Sequence, residues 1–274
     1  METTSSPRIL VVEHESNAGV GLVGRCIAER AWPMDVVGPA HADVPSSAPG
    51  YAGVVVLGGT PGPEDDDLAD WLPCVRELVR DCLDRGVPLL GVCLGAQILA
   101  VVAGGAVTEA LAGPEVGLIE VGWAAEADND PLLHGLPDAA PALAWHWLEV
   151  VDLPVGSHSL ASTSRCANQA FRVGPVAWGL QFHLEALAGT AREWASEEDL
   201  EPLGLSVEEV ATSVADAEPR LVDVWSTVSR RWLGVVADVA ARIGPAEPAR
   251  ARPSPPEPAR ARVTPCPEPP DVAG

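Results

Sequence analysis

Two short apolar runs limit the folds that are open to this chain. Residues 51–57 (YAGVVVL) end in a Gly-Gly pair, and residues 87–92 (VPLLGV) lead directly into a cysteine. Neither run alternates with polar residues, which predicts strands buried on both faces, as in a parallel sheet covered by helices. A similar run lies at 8–12, and helix-compatible stretches follow the three runs at 17–30, 68–85 and 94–103. The alternation predicts an α/β fold: an open, mostly parallel sheet with helices on both faces.

The pattern changes after residue 108. Residues 108–183 hold short extended pieces with many turns, which predict a mixed sheet, with strands at 144–151, 159–163, 169–173 and 176–182. Residues 190–243 return to helical spacing, with Ser206 as a plausible N-cap. The last 31 residues contain ten prolines and repeat EPARAR, a composition that cannot bury a core. We expect a domain at 1–189, a helical extension packed on it at 190–243, and a disordered tail at 244–274.

Composition excludes several classes of function. The net charge of −22 should repel nucleic acid and anionic lipid, which leaves a small molecule or a protein as partner. All basic residues are arginines, so Schiff-base chemistry and a P-loop lysine are excluded. The six cysteines form no C-x-x-C pair and no metal-like cluster with histidines, and we expect reduced thiols and no metal. The N-terminus has no signal-peptide pattern and no run reaches the ~20 apolar residues of a membrane span, so a cytoplasmic protein is expected.

The sequence GVCLG at 91–95 places Cys93 between a buried strand and the start of a helix. A Gly-x-nucleophile-x-Gly sequence in this setting is typical of a nucleophile elbow, because side chains at 91 and 95 would block the abrupt turn. The helix N-terminus would favour the thiolate form. The alternative is that Cys93, like the other five cysteines, is a buried and inert thiol.

A cysteine nucleophile needs a base and a group that orients it, and the segment VAWGLQFHLE supplies both. His183 and Glu185 are two residues apart and project on the same side if the strand continues to them. They would otherwise be an exposed pair at a strand end. An oxyanion also needs donors. The N–H of Leu94 is one candidate and a glycine N–H of Gly58-Gly59 is the second, although that loop alone is typical of an ordinary turn.

Five blocks of the sequence together resemble the class I (triad-type) glutamine amidotransferases, in particular stand-alone members similar to the glutaminase domain of GMP synthase. The blocks occur in the family's order, within about residues 8–190: VVVLGGTPGP, VPLLGVCLGAQILA, WHWLEVVDLP, LASTSRCANQAFRVG and GLQFHLE. The resemblance implies a flavodoxin-like fold and hydrolysis of glutamine to glutamate and ammonia, without a metal or organic cofactor. In the family the ammonia passes to a synthase, so either a separate synthase subunit receives it or this protein simply hydrolyses an amide.

The resemblance also implies roles for particular residues. Cys93 would be the nucleophile, His183 the acid and base, and Glu185 the residue that orients it. Gly59 and Leu94 would be the oxyanion donors, and the substrate contacts would be Gln97, Asn168, Gln169 and Phe171. Many members have proline where this chain has Leu184, which lies on the apolar face of the alternation and should alter packing more than the direction of the triad.

Two other functions are compatible with the same sequence. A γ-glutamyl hydrolase acting on γ-glutamyl amides would use the same three residues. A non-catalytic regulatory or binding module on the same fold is the alternative of another class, which the presence of Cys93, His183 and Glu185 argues against.

Overall fold

A computed structural model describes residues 6–243 of the chain. The first half alternates strands and helices, as the apolar runs predict. Its elements are β1 (Ile9–Val12), α1 (Gly21–Glu29), β2 (Met34–Val37), β3 (Gly53–Val56), α2 (Leu72–Arg85), β4 (Leu89–Val92) and α3 (Leu94–Val102).

The second half is mostly strands followed by helices. Its strands are β5 (Ala106–Glu109), β6 (Glu115–Trp123), β7 (Ala139–His146), β8 (Leu148–Asp152), β9 (His158–Ser162), β10 (Ala170–Val173) and β11 (Ala177–Leu180). Two helices follow, α4 (Ala188–Glu197) and α5 (Val207–Ile243).

Nine of these strands form one mixed sheet in the order β2-β1-β3-β4-β11-β10-β9-β6-β7. The pairs that join β2, β1, β3, β4 and β11 are parallel, and the remaining pairs are antiparallel. β5 and β8 make a separate antiparallel ribbon. The predicted α/β architecture is therefore confirmed. Because β4 and β11 are parallel neighbours, residues that follow their carboxyl ends meet at one edge of the sheet.

The sheet separates two apolar cores. Alternate residues of β1 point to opposite faces, with Ile9 in one core and Leu10 in the other. The first core includes residues of α1, α4 and α5, and the second includes residues of α2 and α3. All four residues of β1, β3 and β4 are buried, as the continuous apolar runs predict. Fully burying each large side chain contributes about 1.5–3 kcal/mol, so both faces stabilise the central strands.

The helix α5 begins with the predicted cap. The Oγ atom of Ser206 accepts a bond from the Glu209 backbone N–H at 3.3 Å, and the Ser206 N–H donates to the Glu209 carboxylate at 3.0 Å. The helical spacing predicted at 190–243 is observed here, and Trp225 and Trp232 of this helix pack into the first core. The division of the chain at residue 189 stays a prediction, and the tail at 244–274 lies outside the described residues.

Several details differ from the sequence-based strands. The stretch predicted as one strand at 144–151 is divided between β7 and β8, and β2, β5 and β6 are not among the predicted strands. Three of the four β2 residues are only half-buried, and the strand has one neighbour because it lies at the sheet edge. Its short MDVV sequence therefore lacks the long apolar run of the central strands. No helix within residues 6–243 combines the length and apolarity needed to cross a bilayer.

Candidate active site

Cys93 lies at the turn between β4 and α3 in a strained backbone conformation. Its φ is 49° and its ψ is −105°, so a non-glycine residue occupies a region that L-residues rarely adopt. The flanking glycines leave room for this turn. A Cβ at Gly91 would lie 2.5 Å from the carbonyl oxygen of Gly95, and a Cβ at Gly95 would lie 2.0 Å from that of Val56. The geometry is that of the predicted elbow.

His183 and Glu185 follow the end of β11 and form a buried pair. The Nδ1 atom of His183 lies 2.7 Å from Oε1 of Glu185, and both residues are at most 3% exposed. The regular strand ends at Leu180, but the His183 N–H donates to the Leu143 carbonyl at 2.8 Å, which keeps the segment extended beside β7. The two side chains therefore lie on one side, although β11 stops before them.

The imidazole lies beside the cysteine. Gly58 lies in the loop after β3. A Cβ built on it would be 2.6 Å from Cε1 of His183 and 3.4 Å from Cβ of Cys93. Only a glycine therefore fits at this position beside the two side chains. Burial opposes a charge on the ring, but attraction to Glu185 and to Cys93 outweighs it and raises the pKa of His183 to about 10. The ring can therefore hold a proton between the sulfur and the carboxylate.

Two further groups contact the sulfur. The backbone carbonyl of Trp145 and the Nε2 amide of Gln181 each lie 3.7 Å from Sγ of Cys93. Gln181 is fully buried and also accepts from Nε2 of Gln97 at 3.4 Å. Sequence reasoning assigns Gln181 no role. Its place on the polar side of the alternation, two residues before His183, is the signal that it faces the same edge.

The two predicted oxyanion donors are neighbours. A Cβ on Gly59 would be 3.2 Å from Cδ2 of Leu94, and Leu94 is the first residue of α3. Within residues 6–243, neither backbone N–H has an intramolecular acceptor. The ring of His14 packs under Gly59 and is tied to Trp71, whose Nε1 donates to Nδ1 at 3.0 Å. Burial lowers the pKa of His14 to about 4, which keeps this ring neutral.

A cavity of about 510 Å³ opens over Cys93 and His183. Its remaining lining residues come from the loops after β1 and β3, from α3, from the β7–β8 turn and from the end of α4: Glu15, Asn17, Ala18, Gly59, Thr60, Pro61, Gln97, Trp145, His146, Trp147, Leu148, Trp194, Glu197 and Glu198. The aromatic and acidic members of this wall have no assigned role in the sequence analysis. They come from separate segments, and only the folded chain brings them together.

The predicted substrate contacts fall into two groups. Gln97 lines the cavity, and its Nε2 atom donates to the Leu148 carbonyl at 3.1 Å. Asn168, Gln169 and Phe171 do not line it. Asn168 donates to the Val150 carbonyl at 2.9 Å, and Phe171 is fully buried in the second core. That these three residues contact a ligand stays a prediction. At the positions described here, they would influence the cavity through the segments that they support.

Within residues 6–243, the structure brings together one cluster of metal-ligand type that the sequence spacing does not reveal. Ligand atoms of Glu115, His146 and Cys166 all lie within 4.8 Å of one another in the interior. Glu115 already accepts bonds from Thr163 at 2.9 Å and from Gln169 at 2.5 Å. Burial opposes its ionisation, but the nearby His146 and the Thr163 bond hold its pKa below the usual value. Burial also raises the pKa of Cys166, and the group forms a hydrogen-bonded support of the cavity wall.

The fold and the site together define a class of protein. A cysteine on a strained turn after one parallel strand and a His–Glu pair after its neighbour are the arrangement of α/β amide-hydrolysing enzymes with a cysteine nucleophile. A family model described as glutamine amidotransferase class-I matches residues 21–198. The chain belongs to the class I glutamine amidotransferase family.

Individual curated proteins are also similar to this chain. The chain is 36% identical to a subunit of the glutamine-hydrolysing GMP synthase of Methanoregula boonei over 136 residues, which are 49% of this chain and 66% of the relative. It is 30% identical to the GMP synthase of Aeropyrum pernix over 231 residues, 79% of this chain and 42% of that one. For the first three curated relatives, the matched stretch spans 20% to 66% of their length.

Solved structures resemble the chain over most of its length. A glutamine amidotransferase from Thermotoga maritima is 27% identical with a TM-score of 0.75, covering 83% of this chain and 98% of that one. A glutamine amidotransferase from Methylobacillus flagellatus is 26% identical with a TM-score of 0.71, covering 85% and 95%.

Proposed function

We propose that this protein hydrolyses the side-chain amide of glutamine to glutamate and ammonia. Cys93 is the nucleophile, His183 transfers the proton, and Glu185 orients the imidazole. The observation that carries the proposal is the position of Cys93 on a strained elbow, beside an imidazole whose other nitrogen is 2.7 Å from a buried carboxylate. Such a turn costs about 1–3 kcal/mol and persists where the surrounding structure maintains it, which supports a reactive rather than a packing role.

The reaction proceeds in two stages. His183 takes the thiol proton and the sulfur of Cys93 attacks the amide carbon, forming a tetrahedral oxyanion. The C–N bond then breaks, His183 gives the proton to the leaving nitrogen, and ammonia departs from a γ-glutamyl thioester. Water, with its proton taken by His183, attacks the thioester and releases glutamate with the free thiol. The raised pKa of His183 favours its role as the acid of the first stage.

The oxyanion needs donors that are not already engaged. The N–H groups of Gly59 and Leu94 meet this condition within the described residues, since they lie near the nucleophile and neither has an intramolecular acceptor. Their donation would be worth about 2.7–4 kcal/mol per donor at the transition state. Gln97 lines the same cavity and would contact the glutamine, with its carbonyl oxygen available because Nε2 is the atom bonded to Leu148.

The released ammonia would pass to a separate synthase subunit. Several relatives are named as individual subunits of a glutamine-hydrolysing GMP synthase, and this supports a division of labour between two chains. The partner is tested by adding candidate ATP-dependent synthase subunits and measuring whether glutamate formation rises. A partner that takes up ammonia should raise the rate in the presence of its own substrates and should yield an aminated product.

The enzymatic test is release of ammonia and glutamate from glutamine by three proteins: wild type, Cys93→Ala and Cys74→Ala. Cys74 is an exposed free thiol and serves as the matched control. We expect wild type and Cys74→Ala to turn over equally, and Cys93→Ala to lose at least about 10³-fold. A glutamine-like electrophile should label Cys93 and not Cys74 by peptide mass spectrometry. A wild type that neither hydrolyses glutamine nor reacts with the electrophile would instead support a non-catalytic module.

A further inference from the structure

The wall of the cavity beyond His183 combines aromatic and acidic side chains. We propose that this wall, formed by Trp194, Glu197 and Glu198, is a leaving-group subsite for an amine that carries a second, positively charged group. The substrate class would then include γ-glutamyl amides of diamines. The inference rests on the proposed function, because it concerns the amine that is released from the same thioester-forming reaction.

The position of His183 defines the side from which the amine leaves. The proton donor must lie against the departing nitrogen, so the substituent of that nitrogen extends past the imidazole. The ring of Trp194 packs against the His183 ring at a centroid distance of 4.7 Å and an angle of 66°. The ring of Trp145 lies 5.6 Å from Trp194 on the same wall. The leaving group therefore passes aromatic rings, which attract cations by their π faces.

Acidic groups follow directly after these rings. Trp194, Glu197 and Glu198 are carried by the last turn of α4 and its C-terminal cap, where the helix dipole also favours a positive charge. The Oε2 atom of Glu197 accepts from Asn17 at 2.8 Å, which fixes this carboxylate beside the cavity. Glu198 has no ion-pair partner among residues 6–243, and no arginine or lysine belongs to the described lining.

One buried acceptor beside this wall also lacks a donor. Oδ1 of Asn17 has no hydrogen-bond partner in the described part of the chain, while its Nδ2 atom holds Glu197. An ammonium group has three donors and can satisfy an amide oxygen and a carboxylate together. Ammonia from glutamine would leave this wall unused, whereas a diamine would reach it with its distal end. The cavity of about 510 Å³ lies within the range of small-ligand sites.

The reaction balances in the same way as glutamine hydrolysis. The thiolate of Cys93 attacks the γ-carbonyl carbon, the bond from this carbon to the amine nitrogen breaks, and His183 supplies the proton of the departing amine. Water then hydrolyses the γ-glutamyl thioester. The products are glutamate and the free diamine, and no oxidant, metal or nucleotide is required.

The test compares two substrates that share the glutamyl part. γ-Glutamyl-1,4-diaminobutane ends in an ammonium group, and γ-glutamyl-n-pentylamide has a methyl group in its place, so recognition of the glutamyl part cancels in the ratio of kcat/KM. We expect the diamine conjugate to be preferred at least about tenfold in wild type. The double variant Glu197→Gln/Glu198→Gln should bring the ratio close to one. Glu193→Gln, an exposed carboxylate on the same helix outside the cavity lining, is the matched control and should keep the preference.

The possible outcomes separate the two proposals. Hydrolysis of glutamine with equal kcat/KM for the two conjugates overturns the subsite and leaves the proposed function in place. A preference that survives the double variant also overturns the assignment to Glu197 and Glu198. Failure to hydrolyse glutamine and both conjugates overturns the proposed function itself. Because the attraction is electrostatic, we expect the preference to shrink as salt is raised from about 0.05 to about 1 M.

Discussion

The imidazole of His183 is held by Glu185 although the strand that leads to them has already ended. Their 2.7 Å contact depends on backbone anchors on either side of the pair. The N–H of His183 donates to Leu143, and the carbonyl of Glu185 accepts from Leu22 at 2.9 Å. A Cβ on Gly21 would lie 2.2 Å from that carbonyl, so α1 approaches the pair closely. Backbone bonds from β7 and α1 thus hold the pair in place, so that the Glu185 carboxylate can orient the His183 ring.

Replacing Glu185 with glutamine should remove the orienting charge while keeping the shape. An amide can present its NH₂ group to Nδ1 and favour the wrong tautomer of His183. We expect kcat for glutamine hydrolysis to fall by about 10³–10⁴-fold with a small change in KM. Steady-state kinetics and circular dichroism of both proteins check this. A fall of less than about tenfold in a folded variant would contradict the role of Glu185.

The raised pKa of His183 predicts a pH-dependent contribution to stability. Its pKa is about 10 in the folded state and near 6.5 in an unfolded chain. Folding therefore favours the protonated ring, and this contribution is fully present below about pH 6.5 and is lost as the pH rises through about 10. Urea unfolding of wild type and His183→Gln between about pH 6 and 10.5 measures it. The difference in unfolding free energy should shrink with rising pH, and a constant difference would contradict the shift.

Gly58 leaves the space in which the Cys93 side chain and the His183 imidazole meet. In Gly58→Ala, the new methyl group would lie 2.6 Å from Cε1 of His183 and would push the ring from Cys93. We expect kcat/KM for glutamine to fall about 10²-fold, since a misplacement of about 1 Å has that effect. Gly234→Ala is the control, because a Cβ there meets nothing within 4 Å and lies inside α5. It should keep full activity and gain about 0.5–1 kcal/mol of stability.

The sequence predicts the central part of the fold well, because periodicity reports burial directly. The runs at 53–56 and 89–92 are buried on both faces, and this requires a parallel sheet with helices on each side. Cys93 can be singled out because its glycine neighbours have no other evident use. The His183–Glu185 contact is predicted from strand alternation, whereas bonds to Leu143 and Leu22 maintain it beyond the end of the strand.

The acidic and aromatic lining of the cavity cannot be predicted from local patterns. Glu15 and Glu197 both line the cavity but are 182 residues apart in the sequence, and the sequence near each one resembles an ordinary exposed loop or helix end. Glu115, His146 and Cys166 are likewise distant in the sequence. They come together because β6 and β7 pair in the antiparallel part of the sheet, with Glu115 opposite His146. In each case the chemistry depends on long-range pairing, and no short sequence window contains that information.

Gln181 is expected to influence the reactivity of the Cys93 sulfur directly. Its Nε2 group lies 3.7 Å from Sγ of Cys93 and donates toward it, so it favours a negatively charged sulfur. In Gln181→Glu a carboxylate of similar shape would face the sulfur and oppose its ionisation by like-charge repulsion. We expect the rate of Cys93 alkylation by iodoacetamide at about pH 7 to fall at least about tenfold, measured by peptide mass spectrometry. Cys74, which is exposed, is measured in the same samples as an internal control and should keep its rate. An unchanged rate at Cys93 in a folded variant would mean that the Gln181 amide does not act on the sulfur, and the contact would then only fill space.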